Sequence, residues 1–251
     1  MASAQRAPTK AETVGPIDLI IKITFGLFSI TLTSWFVGMA IEIGGSMFLW
    51  KGQGIPHAQA VVQQDLKYIA AAPRSLLVPD TVGFSLEMMG FIRKPFEKFG
   101  VLRWYQNSRA PAAAEPAQQS RKPLLRGLRT STAKASALFS EWAVISMLVA
   151  QDVALRLSIA AYATPAFVLA CLMGVIDGLV RRDRRRWTGG RESSFVYHHS
   201  KRYTAWALTG GFSLYLAWPF PGFNPAYMVL VFTVLVAASL STTVAAFKKY
   251  A

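Results

Sequence analysis

The residues Leu19 to Ile41 read LIIKITFGLFSITLTSWFVGMAI and carry a single charge, Lys22. A helix of that length, rising about 1.5 Å per residue, covers the roughly 30 Å hydrocarbon core of a bilayer. Lys22 lies within a turn of the start and reaches the head groups along its apolar stem. The run is too long for the core of a secretory signal. No small-x-small cleavage site followed by polar sequence comes after it, so it reads as a retained span.

Three more apolar blocks follow. The first is LSIAAYATPAFVLACLMGVIDGLV, Leu157 to Val180, in which Pro165 predicts a kink of the kind membrane helices tolerate. The others are Thr204 to Trp218, which is short, and Pro225 to Phe247. Between these two lies the turn sequence PFPGFNP, Pro219 to Pro225. Trp218, Phe220, Phe223 and Tyr227 gather around it as an interfacial aromatic belt, so the pair reads as a transmembrane hairpin. Only 16% of residues are charged and 53% are hydrophobic, against about 25% charged in soluble domains. The predicted class is an all-α polytopic membrane protein with four transmembrane helices.

Orientation follows from Lys and Arg near the span ends. Between the second and third blocks stands RRDRRRWTGGRESSFVYHHSKR, Arg181 to Arg202. A short loop this basic belongs in the cytoplasm, and so do Lys248 and Lys249 after the last block. The hairpin turn has no Lys or Arg and faces the other side. This divides the chain into a cytoplasmic tail (1–18), helix 1 (19–41), a translocated, partly helical segment (42–156), helix 2 (157–180), a basic cytoplasmic loop (181–203), a hairpin of helices 3 and 4 (204–247) and a cytoplasmic end (248–251). An alternative adds a fifth span near Ala137 to Ala154 and puts the N-terminus outside. Glu141, Asp152 and Arg156 argue against it, because a charge at mid-membrane costs several kcal/mol.

The long segment is not uniform. HAQAVVQQDLKYIAAAP places Val62, Leu66 and Ile69 on one helical face, with Gln63, Gln64 and Asp65 elsewhere. FIRKPFEKFGVLRWYQ alternates basic and aromatic residues, which suits a helix on a bilayer surface or a small helical domain with its own core. Residues 107–123, rich in Ala, Pro and Gln, read as a disordered linker.

Catalytic signatures do not stand out. No phosphate-binding Gly-rich loop with Lys-Ser/Thr, no HExxH and no GxSxG occurs. STAK, Ser131 to Lys134, has the spacing of a nucleophile motif without its companions. The adjacent His198 and His199 diverge on a helix and have no second ligand cluster, and Cys171 is the one cysteine, so neither metal nor cofactor is expected. Asp177 has Arg181 one turn on, which predicts an ion pair at head-group level. A small transporter or membrane-bound enzyme is the rival class, and a polar cavity midway along the spans would favour it. Helix packing has its own signals: Gly174 and Gly178 form a GxxxG, and Ala237, Ser241 and Ala245 recur every four residues in the last block. Small residues so spaced let helices approach closely, which favours a packed bundle or a homo-oligomer.

The net charge of +14 points to an anionic partner, phospholipid or nucleic acid. The apolar blocks favour phospholipid, with Arg181, Arg182, Arg184, Arg185, Arg186, Lys248 and Lys249 as lipid and topology residues. Direct nucleic-acid contact is the lesser reading. The run GLVRRDRRRWTGGRESSFVYHHSKR after GVID, with FKKY at the C-terminus, resembles the integrating-conjugative-element membrane protein family over about Leu157 to Lys249. The resemblance implies residence in a bacterial inner membrane and a non-enzymatic accessory or scaffold role in conjugative DNA transfer. It places the chain beside the coupling ATPase and the channel of a type IV secretion system, and it brings no catalytic residue. Topology needs only charge, yet the shared stretch adds acid and aromatics. Arg191, Glu192, Ser193, Phe195, Tyr197, His198 and Lys201 are therefore the candidate docking surface for a conjugation protein such as that ATPase.

Overall fold

The computed structural model describes residues 15–72, 75–109, 123–188, 206 and 209–246. The described residues form helices and no strand. In chain order the helices are α1 (Pro16–Phe48), α2 (Gly54–Ala71), α3 (Thr81–Lys98), α4 (Val101–Arg109), α5 (Pro123–Tyr162), α6 (Thr164–Trp187), α7 (209–216) and α8 (Pro225–Ala245). Among the described residues four helices are long and apolar enough to cross a membrane: α1, Ser131–Tyr162 of α5, α6 and α8.

Local chemistry sets the boundaries. α1, α6 and α8 each begin with proline in the first turn, where a missing N–H costs nothing. Asp80 caps α3 by accepting from the Gly83 amide at 2.8 Å, and Asn224 caps α8 by accepting from Ala226 at 2.9 Å. Gly100, with φ +69°, makes the left-handed turn between α3 and α4 that a side chain would resist.

The second predicted span, Leu157 to Val180, is not one kinked helix. α5 ends at Tyr162 and α6 starts at Thr164. Inside a helix, Pro165 would lack the donor for its i−4 carbonyl and clash with it. The chain breaks at Ala163 instead, and Pro165 opens a new helix. Leu157 to Tyr162 therefore belong to α5, and the arginine run continues α6 as far as Trp187.

α5 is apolar because it is enclosed. It packs against α1, α2, α3 and α4, and most of its apolar window is buried inside the protein. Ile145, Val149 and Val153 meet Trp35 and Ile43 of α1; Val144 and Leu148 meet Ala58 of α2 and Tyr105 of α4; Leu155 meets Val62 and Ile69. Each such side chain contributes about 1.5–3 kcal/mol on full burial. The basic–aromatic stretch of α3 and α4 is thus part of a helical domain with α5 at its centre. α1 and α8 are the opposite case, with long apolar side chains exposed around most of their surface.

Contacts fix the directions of the apolar helices. Gly174 lies against Ala237 and Gly178 against Ser241, so α6 and α8 run the same way. Ser34 donates to the Ser213 carbonyl at 3.3 Å and Gly38 approaches Ala217, so α1 runs with α7. Gly211 of α7 abuts Phe232 of α8 across the 217–224 turn, making these two an antiparallel pair. The start of α1, the arginine end of α6 and the end of α8 therefore share one end of the molecule. α5 joins α6 at the other end.

Candidate functional site

At that second end the helical domain is fastened to the hairpin by Arg156. Its Nε donates to Asp65 Oδ2 on α2 at 2.8 Å, and its Nη2 lies 3.2 Å from Asp152 Oδ2, one turn back on α5. Nη1 donates to the carbonyl of Tyr215 at 3.0 Å and to that of Trp218. These carbonyls close α7, where helix geometry leaves acceptors without partners and concentrates partial negative charge. The Tyr215 hydroxyl donates back to the Arg156 carbonyl at 3.3 Å. Asp65, Asp152, Arg156 and Tyr215 are all buried. Charges taken out of water are stable only when paired and hydrogen-bonded, and the planar guanidinium fork meets four acceptors at once.

Asp65 corrects the sequence reading, which set it apart from the apolar face of α2. It is buried on the same stripe as Ala58, Val62 and Ile69, turned inward to meet Arg156. The signal available was the pair Asp152 and Arg156, spaced for a helical ion pair inside an apolar run. Their third partner is 91 residues away from Arg156 in the chain, beyond the reach of spacing arguments.

Beside this centre, His57 Nδ1 lies 2.7 Å from Glu42 Oε1, and Trp50 stacks on the imidazole at 3.8 Å. Phe220 meets the Trp50 ring edge-on at 6.3 Å, so the aromatics at the 219–225 turn join the α1–α2 junction. A water-sized cavity lies between Glu42, Ala58, Asp152, Trp218 and Pro219. It lies at the end of α7, beside Gly38 and Glu42 of α1 and beside Val149 and Asp152 midway along the apolar part of α5. Among the described residues no group of three or more His, Cys, Asp or Glu is placed to hold a metal ion.

The small residues of α6 and α8 form a tight seam. A Cβ on Gly174 would lie 2.7 Å from the Ala237 carbonyl oxygen, and one on Gly178 would lie 2.7 Å from that of Ser241. Ala245, third of the α8 stripe, is the last residue of that helix. Ser241 donates to Asp177, whose carboxylate also lies 2.8 Å from Arg181 Nε. The seam thus ends in a polar lock at the arginine end.

Arg181, Arg182, Arg184, Arg185 and Arg186 occupy the last turns of α6, where the helix dipole favours positive charge. Trp187 follows them, 91% exposed. Arg191, Glu192, Ser193, Phe195, Tyr197, His198 and Lys201 lie outside the described residues, as do Lys248 and Lys249.

A family model described as IncC plasmid conjugative DNA transfer protein DtrJ-like matches residues 49–248, well over half of the chain. No curated protein and no solved structure matches it. The family shares with the resemblance seen in the basic run its place in conjugative DNA transfer, and its description names a plasmid where the resemblance named an integrating element.

Proposed function

The chain belongs to the DtrJ-like family and so takes part in conjugative DNA transfer, and from that premise we propose that it is a non-enzymatic scaffold in the bacterial inner membrane, joining the transfer apparatus to a cytoplasmic partner such as the coupling ATPase. The observation that carries the membrane part is the shared direction of α6 and α8, with α6 running from a lipid-suited face into consecutive arginines. That arrangement puts the start of α1, the arginine end of α6 and the end of α8 at one end, which the charge rule assigns to the cytoplasm. The α2–α5 domain then faces the periplasm. Cysteines placed singly at Gly189 and Ala112 in a Cys171→Ser background test this with an impermeant thiol reagent. In intact spheroplasts we expect Ala112 to label and Gly189 to label only after lysis. The reverse pattern overturns the orientation.

The docking surface is the stretch from Arg191 to Lys201. Arg181 to Arg186 already supply the charge that topology asks for, whereas Glu192, Phe195 and Tyr197 serve a protein pocket. Loss of one such anchor costs over about 2 kcal/mol, roughly 30-fold in affinity. Glu192→Ala and Phe195→Ala should each lower conjugation frequency and partner recovery in pull-downs while membrane insertion stays normal. Transfer at the wild-type rate in both variants would leave the stretch as an interfacial helix only.

A further inference from the structure

We propose that the groove where the helical domain meets the first turns of α6 and α8 holds an acyl chain of a membrane phospholipid. This rests on the reading of α6 and α8 as spans. The groove has a volume of about 510 Å³ and is open to the surroundings along one side. Tyr68, Ile69, Ile159, Tyr162, Ala166 and Val229 are among the side chains that wall it.

Three of its polar groups are already engaged within the protein. The Ser75 hydroxyl donates to the Tyr162 carbonyl at 3.4 Å, the Tyr162 hydroxyl donates to the Thr81 carbonyl at 2.8 Å, and the Asn224 side-chain oxygen caps α8. These groups are engaged within the protein and do not recruit a polar solute. What they leave is a largely hydrocarbon wall, and apolar pockets take apolar ligands.

The source of that ligand follows from what adjoins the groove. Its α6 and α8 walls continue into Val168, Leu169, Leu230 and Val231, all exposed. At its mouth the loop between α2 and α3 projects Leu76, 87% exposed, and Leu77, 57% exposed. Two neighbouring leucines bared beside the starts of two apolar helices are costly in water and stable in lipid. A lipid chain beside α6 or α8 thus reaches the groove without crossing polar surface.

The test uses the full-length protein reconstituted in phosphatidylethanolamine vesicles. A fraction of the lipid carries a diazirine in the upper half of one acyl chain. After irradiation, mass spectrometry should find adducts on Tyr68 and Tyr162 as well as on the outward residues Leu172 and Val234. Ala72→Trp and Ala166→Trp, both in the groove wall, should each reduce the Tyr68 and Tyr162 adducts roughly tenfold, the factor for displacing about two buried CH2 groups. The Leu172 and Val234 adducts should not change. Adducts on Leu172 and Val234 without any on Tyr68 or Tyr162 in the wild type would refute the groove site and spare the membrane reading. Absence of all four would refute both. Wild-type labelling decides the matter even where a tryptophan variant fails to fold.

Discussion

Arg156→Met should unfold the helical domain from the hairpin at a temperature on the order of 10 °C below the wild type. The substitution keeps the volume of the stem but leaves Asp65 and Asp152 as buried carboxylates without a cation, the Trp218 carbonyl without the guanidinium, and the Tyr215 carbonyl with only the Trp218 amide at 3.4 Å. Removing one partner of a buried ion pair costs about 3–5 kcal/mol, a large part of the roughly 5–15 kcal/mol that holds a domain together. For a chain of this size each kcal/mol moves the midpoint by about 2–4 °C. Thermal unfolding in mild detergent, followed by tryptophan fluorescence, measures it. Adding Asp65→Asn to Arg156→Met should restore part of the loss, because one uncompensated charge is then gone. An unchanged midpoint in the single variant would mean that the fork contributes no net stability.

Gly174→Leu should separate α6 from α8. The contact at Gly174 is between backbones: its would-be Cβ meets the Ala237 carbonyl oxygen at 2.7 Å and Cα at 3.2 Å, neither of which can swing aside. Overpacking of this kind costs about 1–3 kcal/mol and occasionally more. Since lipid tails are as apolar as leucine, close approach is what holds such helices together. Conjugation frequency should fall with the stability. Gly26→Leu is the control, because nothing beyond the adjoining backbone of its own helix lies within 4 Å of its would-be Cβ, and it should transfer normally. Equal behaviour of the two variants would show the seam to be dispensable.

How far the sequence was readable depends on the residue. α1 and α8 were plain because each is an unbroken apolar run long enough for a bilayer, and the α1 run is too long for a signal core. The α5–α6 break was not, since a proline in an apolar run can kink one helix or start another. Here the enclosure of α5 by four neighbours decided for the second. The charges of α5 were weighed against its crossing a membrane as though it met lipid; their partners, Arg109 for Glu141 and Asp65 for Arg156, come from α4 and α2. Gly174, Gly178, Ala237 and Ser241 were legible as two separate stripes. That they face each other is a fact of three dimensions that neither stripe carries alone.

The parallel course of α6 and α8 has a consequence for how the chain is made. Asp177 and Ser241 are 64 residues apart in sequence, and all of α7 is synthesised between them. At about 5–20 residues per second, α6 waits roughly 3–13 s for its partner after leaving the ribosome. During that interval its glycine face and Asp177 stand without the α8 surface that later covers them. A chaperone or insertase that shelters a half-finished helix would find its client there, and slowing translation between codons 180 and 225 would lengthen its stay.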